Sequence, residues 1–139
     1  MEARSVPFYA SSALSVLGMA VSAYLLDAQS VLRQCEVGSV FWCAGVLDSE
    51  YSHFMGLPVS SYGLGWFAAA LVLSVLSLRV GWSATYLLVW SVVGVVGAAI
   101  LVYTEFVIGS FCLFCTVAHI LGVGILATSY WGYREREPS

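Results

Sequence analysis

Residues 106–133 read FVIGSFCLFCTVAHILGVGILATSYWGY, with no charged side chain between Glu105 and Arg134. Crossing a bilayer takes about 20 apolar residues in a helix, and this run is longer than that. A helix is required because backbone polar groups in lipid must bond within their own segment. Working outward, three more charge-free runs separate Arg4 from Asp27, Glu50 from Arg79 and Arg79 from Glu105, each of more than 20 residues. They predict four membrane spans over residues 6–27, 61–80, 83–104 and 109–131, with one long loop over 28–60. The expected fold class is an all-α integral membrane protein, a four-transmembrane-helix bundle with one long cysteine-bearing extracytoplasmic loop.

Composition agrees. Of 139 residues, 60% are hydrophobic and 9% charged, against roughly 25% charged in an average soluble domain. Thirteen charges could not cover a water-soluble sphere of this size, and the apolar excess also excludes disorder. The length suits a single membrane domain over 1–139, without room for an additional catalytic domain. Net charge is −3 and lysine is absent, so membrane lipid is the expected surroundings and nucleic acid is not an expected partner.

The leader Met1-Glu2-Ala3-Arg4 is not net basic, and no small-x-small cleavage site follows the first run. The first span therefore reads as retained rather than as a signal peptide. Orientation follows from arginine. An even number of spans puts both ends on one side with Arg4, Arg134 and Arg136, and the short turn around Arg79 lies there too. The opposite side has Arg33 alone, with Asp27, Glu36, Asp48, Glu50 and Glu105. Four arginines against one place both termini in the cytoplasm, and the loop and the turn near Glu105 outside. Trp82, Trp131, Tyr130 and Tyr133 fall where spans end, as interfacial anchors do. Gly18 with Ser22, Gly94 with Ala98, and Gly122 with Gly124 predict close helix packing.

Chemistry enters with four cysteines. Cys35 and Cys43 lie in the outward loop, and Cys112 and Cys115 form Cys-Leu-Phe-Cys in the first turns of the fourth span. That span runs inward, so all four thiols belong to the outer side, where disulfides persist. Two cysteines three apart on a helix share a face and can form a strained, exchangeable disulfide. A helix N-terminus stabilises a thiolate there. A second pair on a loop can then carry electrons between an outside partner and the deeper pair by thiol–disulfide exchange. Two structural disulfides are the competing reading. No metal is expected, since a four-thiolate zinc site wants short Cys-x-x-Cys pairs on both sides.

A dithiol at the edge of a bilayer needs a redox partner within reach, and lipid-soluble quinones are the candidates. His119 follows Cys115 by four residues, on the same face and one turn deeper. A histidine inside a span is costly and usually functional. Its ring could donate a hydrogen bond to a quinone carbonyl or move a proton; bonding to a neighbouring helix is the alternative.

These residues resemble the vitamin K epoxide reductase family. The matching elements are Cys35-Glu36-Val37-Gly38, Cys43 eight positions after Cys35, Ser49 six after Cys43, and Cys112-Leu113-Phe114-Cys115 at the start of the last span. The resemblance implies a four-helix bundle around a quinone pocket, with a ubiquinone or menaquinone as cofactor. It implies that Cys115 reacts with quinone, that Cys43 exchanges with Cys112, and that Cys35 meets a thioredoxin-like partner. Ser49 matches the family's loop serine over the pocket, although Ser49-Glu50-Tyr51-Ser52 also reads as a simple helix start. Phe111 and Phe114, beside the motif cysteines, join Ser49 and His119 as candidate quinone-binding residues.

Vertebrate members carry an asparagine near the start of the second span and a tyrosine four residues past the second motif cysteine. Val59 and His119 stand there in this chain. The departure favours the microbial, DsbB-like branch: a prokaryotic cell-membrane oxidase taking electrons from a thiol protein and passing them to quinone. No thioredoxin-like domain follows before Ser139, so a separate DsbA-like partner is expected. Val46, Leu47, Phe54, Met55 and Leu57 could form a short amphipathic helix, lying as a lid over the bundle or against headgroups; His53 reads as a solvated loop residue. Two other functions stay open: reduction of vitamin K or its epoxide, and a non-enzymatic membrane subunit with structural disulfides. Ion transport is not expected, because the spans hold no carboxylates.

Overall fold

The structure, a computed structural model, describes residues 4–26, 53–54, 57–109 and 113–137. Its elements are α1 (Val6–Leu26), β1 (His53–Phe54), β2 (Leu57–Pro58), α2 (Val59–Ser77), α3 (Ser83–Ile108) and α4 (Leu113–Arg136). All four helices are long and apolar enough to cross a membrane.

The helix ends show where charge is a good boundary marker and where it fails. α1 is described to Leu26, and the last residue of its expected range lies outside the described residues. α2 starts at Val59 and stops at Ser77, where Leu78 and Arg79 donate to the carbonyls of Val75 and Leu76 at 3.1 and 3.0 Å. These i→i−3 bonds tighten the chain into a turn and leave Arg79 in the 78–82 connection, as expected. α3, by contrast, runs past its expected end at 104. It continues through Glu105 to Ile108 and stops at Gly109, whose φ of 81° lets its N–H reach back to the Glu105 carbonyl at 2.9 Å. Glycine takes that left-handed conformation without a Cβ clash.

Glu105 is therefore not in an outward turn; it lies in the last turn of α3 and is only 4% exposed. A charge marks a span boundary only when its side chain can reach water, and this one points inward. The spans hold one carboxyl after all. α4 carries on to Arg136, with Arg134 and Arg136 in its last turn, where cations suit the negative helix end.

The proposed lid helix is also corrected within the described residues. β1 and β2 pair antiparallel, His53 with Pro58 and Phe54 with Leu57. Pro58 has no N–H to donate and pushes Leu57 toward extended backbone, which opposes a helix there. Val46, Leu47 and Met55 lie outside the described residues.

The helices form a ring in which α1 packs on α2 and α4, and α3 on the same two. One stripe on each helix faces inward. On α1 it is Phe8, Ser11, Ser15, Gly18, Ser22 and Leu25; on α2, Phe67, Ala70, Ser74 and Ser77. On α3 it is Ala84, Leu87 and Ser91, and on α4 Gly122, Ile125, Ser129 and Gly132. Steps alternate between three and four residues, the period of a left-handed bundle, and most positions are small.

Small residues let backbones approach, and aromatic rings fill what they leave. Phe8 of α1 lies against Gly132 of α4, where a Cβ would come 2.6 Å from its ring; Cβ atoms on Gly18 and Gly94 would overlap Phe67 and Trp66. Gly124 faces Leu14, whereas Gly122 has open space around it, so the expected close approach there rests on Gly124. The serine hydroxyls are satisfied mostly inside their own helices: Ser15, Ser74, Ser77 and Ser91 donate to carbonyls four residues back at 2.7–2.8 Å. Others bridge helices, Ser11 with Thr128 at 2.6 Å and Ser129 with Ser91 at 3.2 Å. Between α2 and α3, Trp66 and Trp90 each donate to the other's carbonyl, at 3.3 and 3.1 Å, with rings stacked 6.4 Å apart.

Arg136 closes the end opposite Cys115. Its guanidinium donates to the carbonyls of Val80, at 3.4 Å, and Ser77, and lies 4.4 Å from the centre of the Phe8 ring. The start of α1, the 78–82 connection and the end of α4 thus meet, and with them the segments bearing Arg4, Arg79, Arg134 and Arg136.

Gly18→Ala should lower stability by about 1–3 kcal/mol through overpacking against Phe67. Gly65→Ala on α2, where a Cβ meets nothing within 4 Å, should not lower it. Thermal unfolding of both variants in the same detergent reads the difference.

Candidate functional site

Cys115 is the third residue of α4 as described and is half-buried. The first turn of α4 contains no acidic residue, so no carboxylate of that turn offsets the positive end of the helix dipole. Phe114 beside Cys115 packs on Tyr24, ring centres 5.0 Å apart and planes at 52°, which ties the start of α4 to the end of α1.

His119 lies one turn farther along α4, about 6 Å by helix rise, on the face of Cys115. Its Nδ1 is buried with no hydrogen-bond partner among the described residues. An unsatisfied buried nitrogen costs about 1–3 kcal/mol. The neighbouring-helix bond considered for this histidine is not seen at Nδ1 among those residues.

A quinone presents a flat apolar ring with two carbonyl oxygens. It would need an aromatic wall, an N–H donor and a nearby sulfur. Phe114 on Tyr24 supplies the first, His119 the second and Cys115 the third, so the described residues fit the group. His119 would hold a carbonyl oxygen, and Phe114 would supply apolar ring surface.

The structure brings together Cys115, Phe114 and His119. Cys35, Cys43, Ser49, Phe111 and Cys112 lie outside the described residues. Two residues at this end escaped the sequence reading. Tyr24 stands off the inward stripe of α1 and has no periodic signal. Glu105 did have one: it follows Ser91 and Ala98 at seven-residue steps, so the same stripe that buries Ser91 predicts its burial.

Compared with protein-family models, the chain matches that of the vitamin K epoxide reductase family over residues 9–130. The match runs from the first turns of α1 to Tyr130 in α4 and takes in all four cysteines. A comparison with curated proteins finds no match.

His119→Leu removes the unpaired nitrogen while keeping an apolar side chain. Thermal stability should hold or rise, by up to about 1–3 kcal/mol, while quinone affinity falls, read by unfolding and by quinone titration. A clear loss of stability would mean that the ring is held by a bond of its own.

Proposed function

We propose, from the premise that this chain belongs to the vitamin K epoxide reductase family, that it generates disulfides at the expense of a membrane quinone. At the family level that membership means a membrane oxidoreductase linking thiol–disulfide chemistry to quinones. The finer reading is a relay through four cysteines. A reduced thioredoxin-like, DsbA-like protein gives two electrons to a Cys35–Cys43 disulfide, and Cys43 exchanges with Cys112. The Cys112–Cys115 pair passes them to a quinone of the ubiquinone or menaquinone type. One dithiol becomes a disulfide, and the quinone takes up two electrons and two protons.

The observation that carries this reading is the buried Nδ1 of His119, one turn beneath Cys115 and without a hydrogen-bond partner among the described residues. A fold does not keep such a cost inside a helix without use for it; a hydrogen bond to a quinone oxygen would remove it. Ser49 and Phe111 complete the mouth of the pocket in this account, and residues 1–139 act as one domain. Both termini lie in the cytoplasm of a prokaryotic cell, with the cysteines outside. The gathering of the arginine-bearing segments at one end supports that orientation.

Cys115→Ala should abolish quinone reduction by a reduced thioredoxin-like protein, followed by the absorbance change of the quinone. The same variant should still trap that protein as a mixed disulfide at Cys35. Unchanged quinone turnover would overturn the mechanism.

A further inference from the structure

We propose that Glu105 accepts the proton of the Cys115 thiol, an inference that rests on the quinone-linked reading above. The placement comes from the register of α3 against α4. These helices pack side by side and are joined by residues 109–112, so they run antiparallel. Ser129 of α4 hydrogen-bonds Ser91 of α3 at 3.2 Å. Two heptads from that pair, forward along α3 and backward along α4, stand Glu105 and Cys115. A whole number of heptads keeps a residue on the same face, so both continue the line on which the two serines meet. Glu105 is 4% exposed, as a position on the inward side of α3 requires.

Its surroundings give the carboxyl a purpose. Among the described residues, Glu105 is the sole carboxyl on the helices outside the last turn of α4. A carboxyl in a membrane helix is costly and is kept where it pairs or moves protons. The cap at Gly109 holds this turn in place through the Glu105 carbonyl. The reaction needs a proton carrier there: two thiols lose two protons as their sulfurs join, and the quinone gains two.

The step balances as follows. The S–H bond of Cys115 breaks and an O–H bond forms on the Glu105 carboxylate, leaving a thiolate. The sulfurs of Cys112 and Cys115 form an S–S bond and give up two electrons, which reduce the quinone. The two thiol protons end on the quinone oxygens, one of them by way of Glu105, whose carboxylate is restored.

The test uses the full chain in lipid nanodiscs, with Glu105→Gln, Glu105→Asp and Cys115→Ala beside the wild type. Quinone reduction by a reduced thioredoxin-like protein gives kcat and KM. Maleimide alkylation of reduced protein, read at Cys115 by peptide mass, reports thiolate. Glu105→Gln should lower kcat by about a hundredfold, the scale of a lost general base, with KM for quinone little changed. It should slow alkylation of Cys115 by about tenfold, since thiolate is the nucleophile. Glu105→Asp should recover part of both rates. Wild-type alkylation and kcat in Glu105→Gln, or a loss confined to KM, would overturn the inference. Should the Gln variant not fold, wild-type rates in Glu105→Asp would overturn it equally, and reduced ones support it. Quinone turnover surviving in Cys115→Ala would instead sink the underlying function, so the two failures are distinct.

Discussion

Helices in lipid gain nothing from hiding apolar surface from one another, so four of them stay together only by coming close enough for dispersion and short polar bonds to act. Here closeness comes from serine, glycine and alanine at alternating three- and four-residue steps. Serine is an economical choice: its hydroxyl bonds the preceding turn of its own helix and leaves a neighbour a surface little larger than alanine. Rings then occupy the remaining space, Phe67 over Gly18, Trp66 over Gly94 and Phe8 over Gly132. Each ring and its glycine belong to different helices, so neither can change size without its partner.

The same seam sets the chemistry. Followed toward the end of α3 it reaches Glu105, and toward the start of α4 it reaches Cys115; the packing rule that brings two serines together also brings together a carboxyl and a thiol. Small side chains in the middle of the bundle hold the helices in register, while larger reactive ones stand at the rim. Cys115 thereby has the positive end of α4 in its own turn, and one turn below it the Nδ1 of His119 is buried without a hydrogen-bond partner among the described residues.

Much of this was legible because membranes impose strong rules. Long gaps between charges are enough to count four helices, and the four-residue step from Cys115 to His119 is enough to set the two on one face of α4. What could not be read has specific causes. Glu105 looks like a span boundary because charge alone does not say which face of a helix a residue stands on. The end of α3 depends on a left-handed glycine, and Gly109 looks no different in sequence from Gly97. Trp66 and Trp90 sit inside their spans and bond each other's backbones, a pairing with no local signature because the two lie on different helices. The pairing of His53 with Pro58 needs the proline effect on Leu57 to outweigh an apolar pattern. Cys35, Cys43 and Cys112 remain matters of motif, and their exchange partners were inferred from family likeness rather than from packing.

Helix lengths carry one more consequence. α2 has 19 residues and α3 has 26, and they are matched at the end where Ser83 bonds Ser77 at 3.2 Å. At the far end α3 overhangs its neighbour by about 10 Å of helix rise. Among the described residues, α2 therefore stops short of the turn of α3 that carries Glu105. A long-tailed carrier would meet one helix fewer there when approaching sideways from the oily phase.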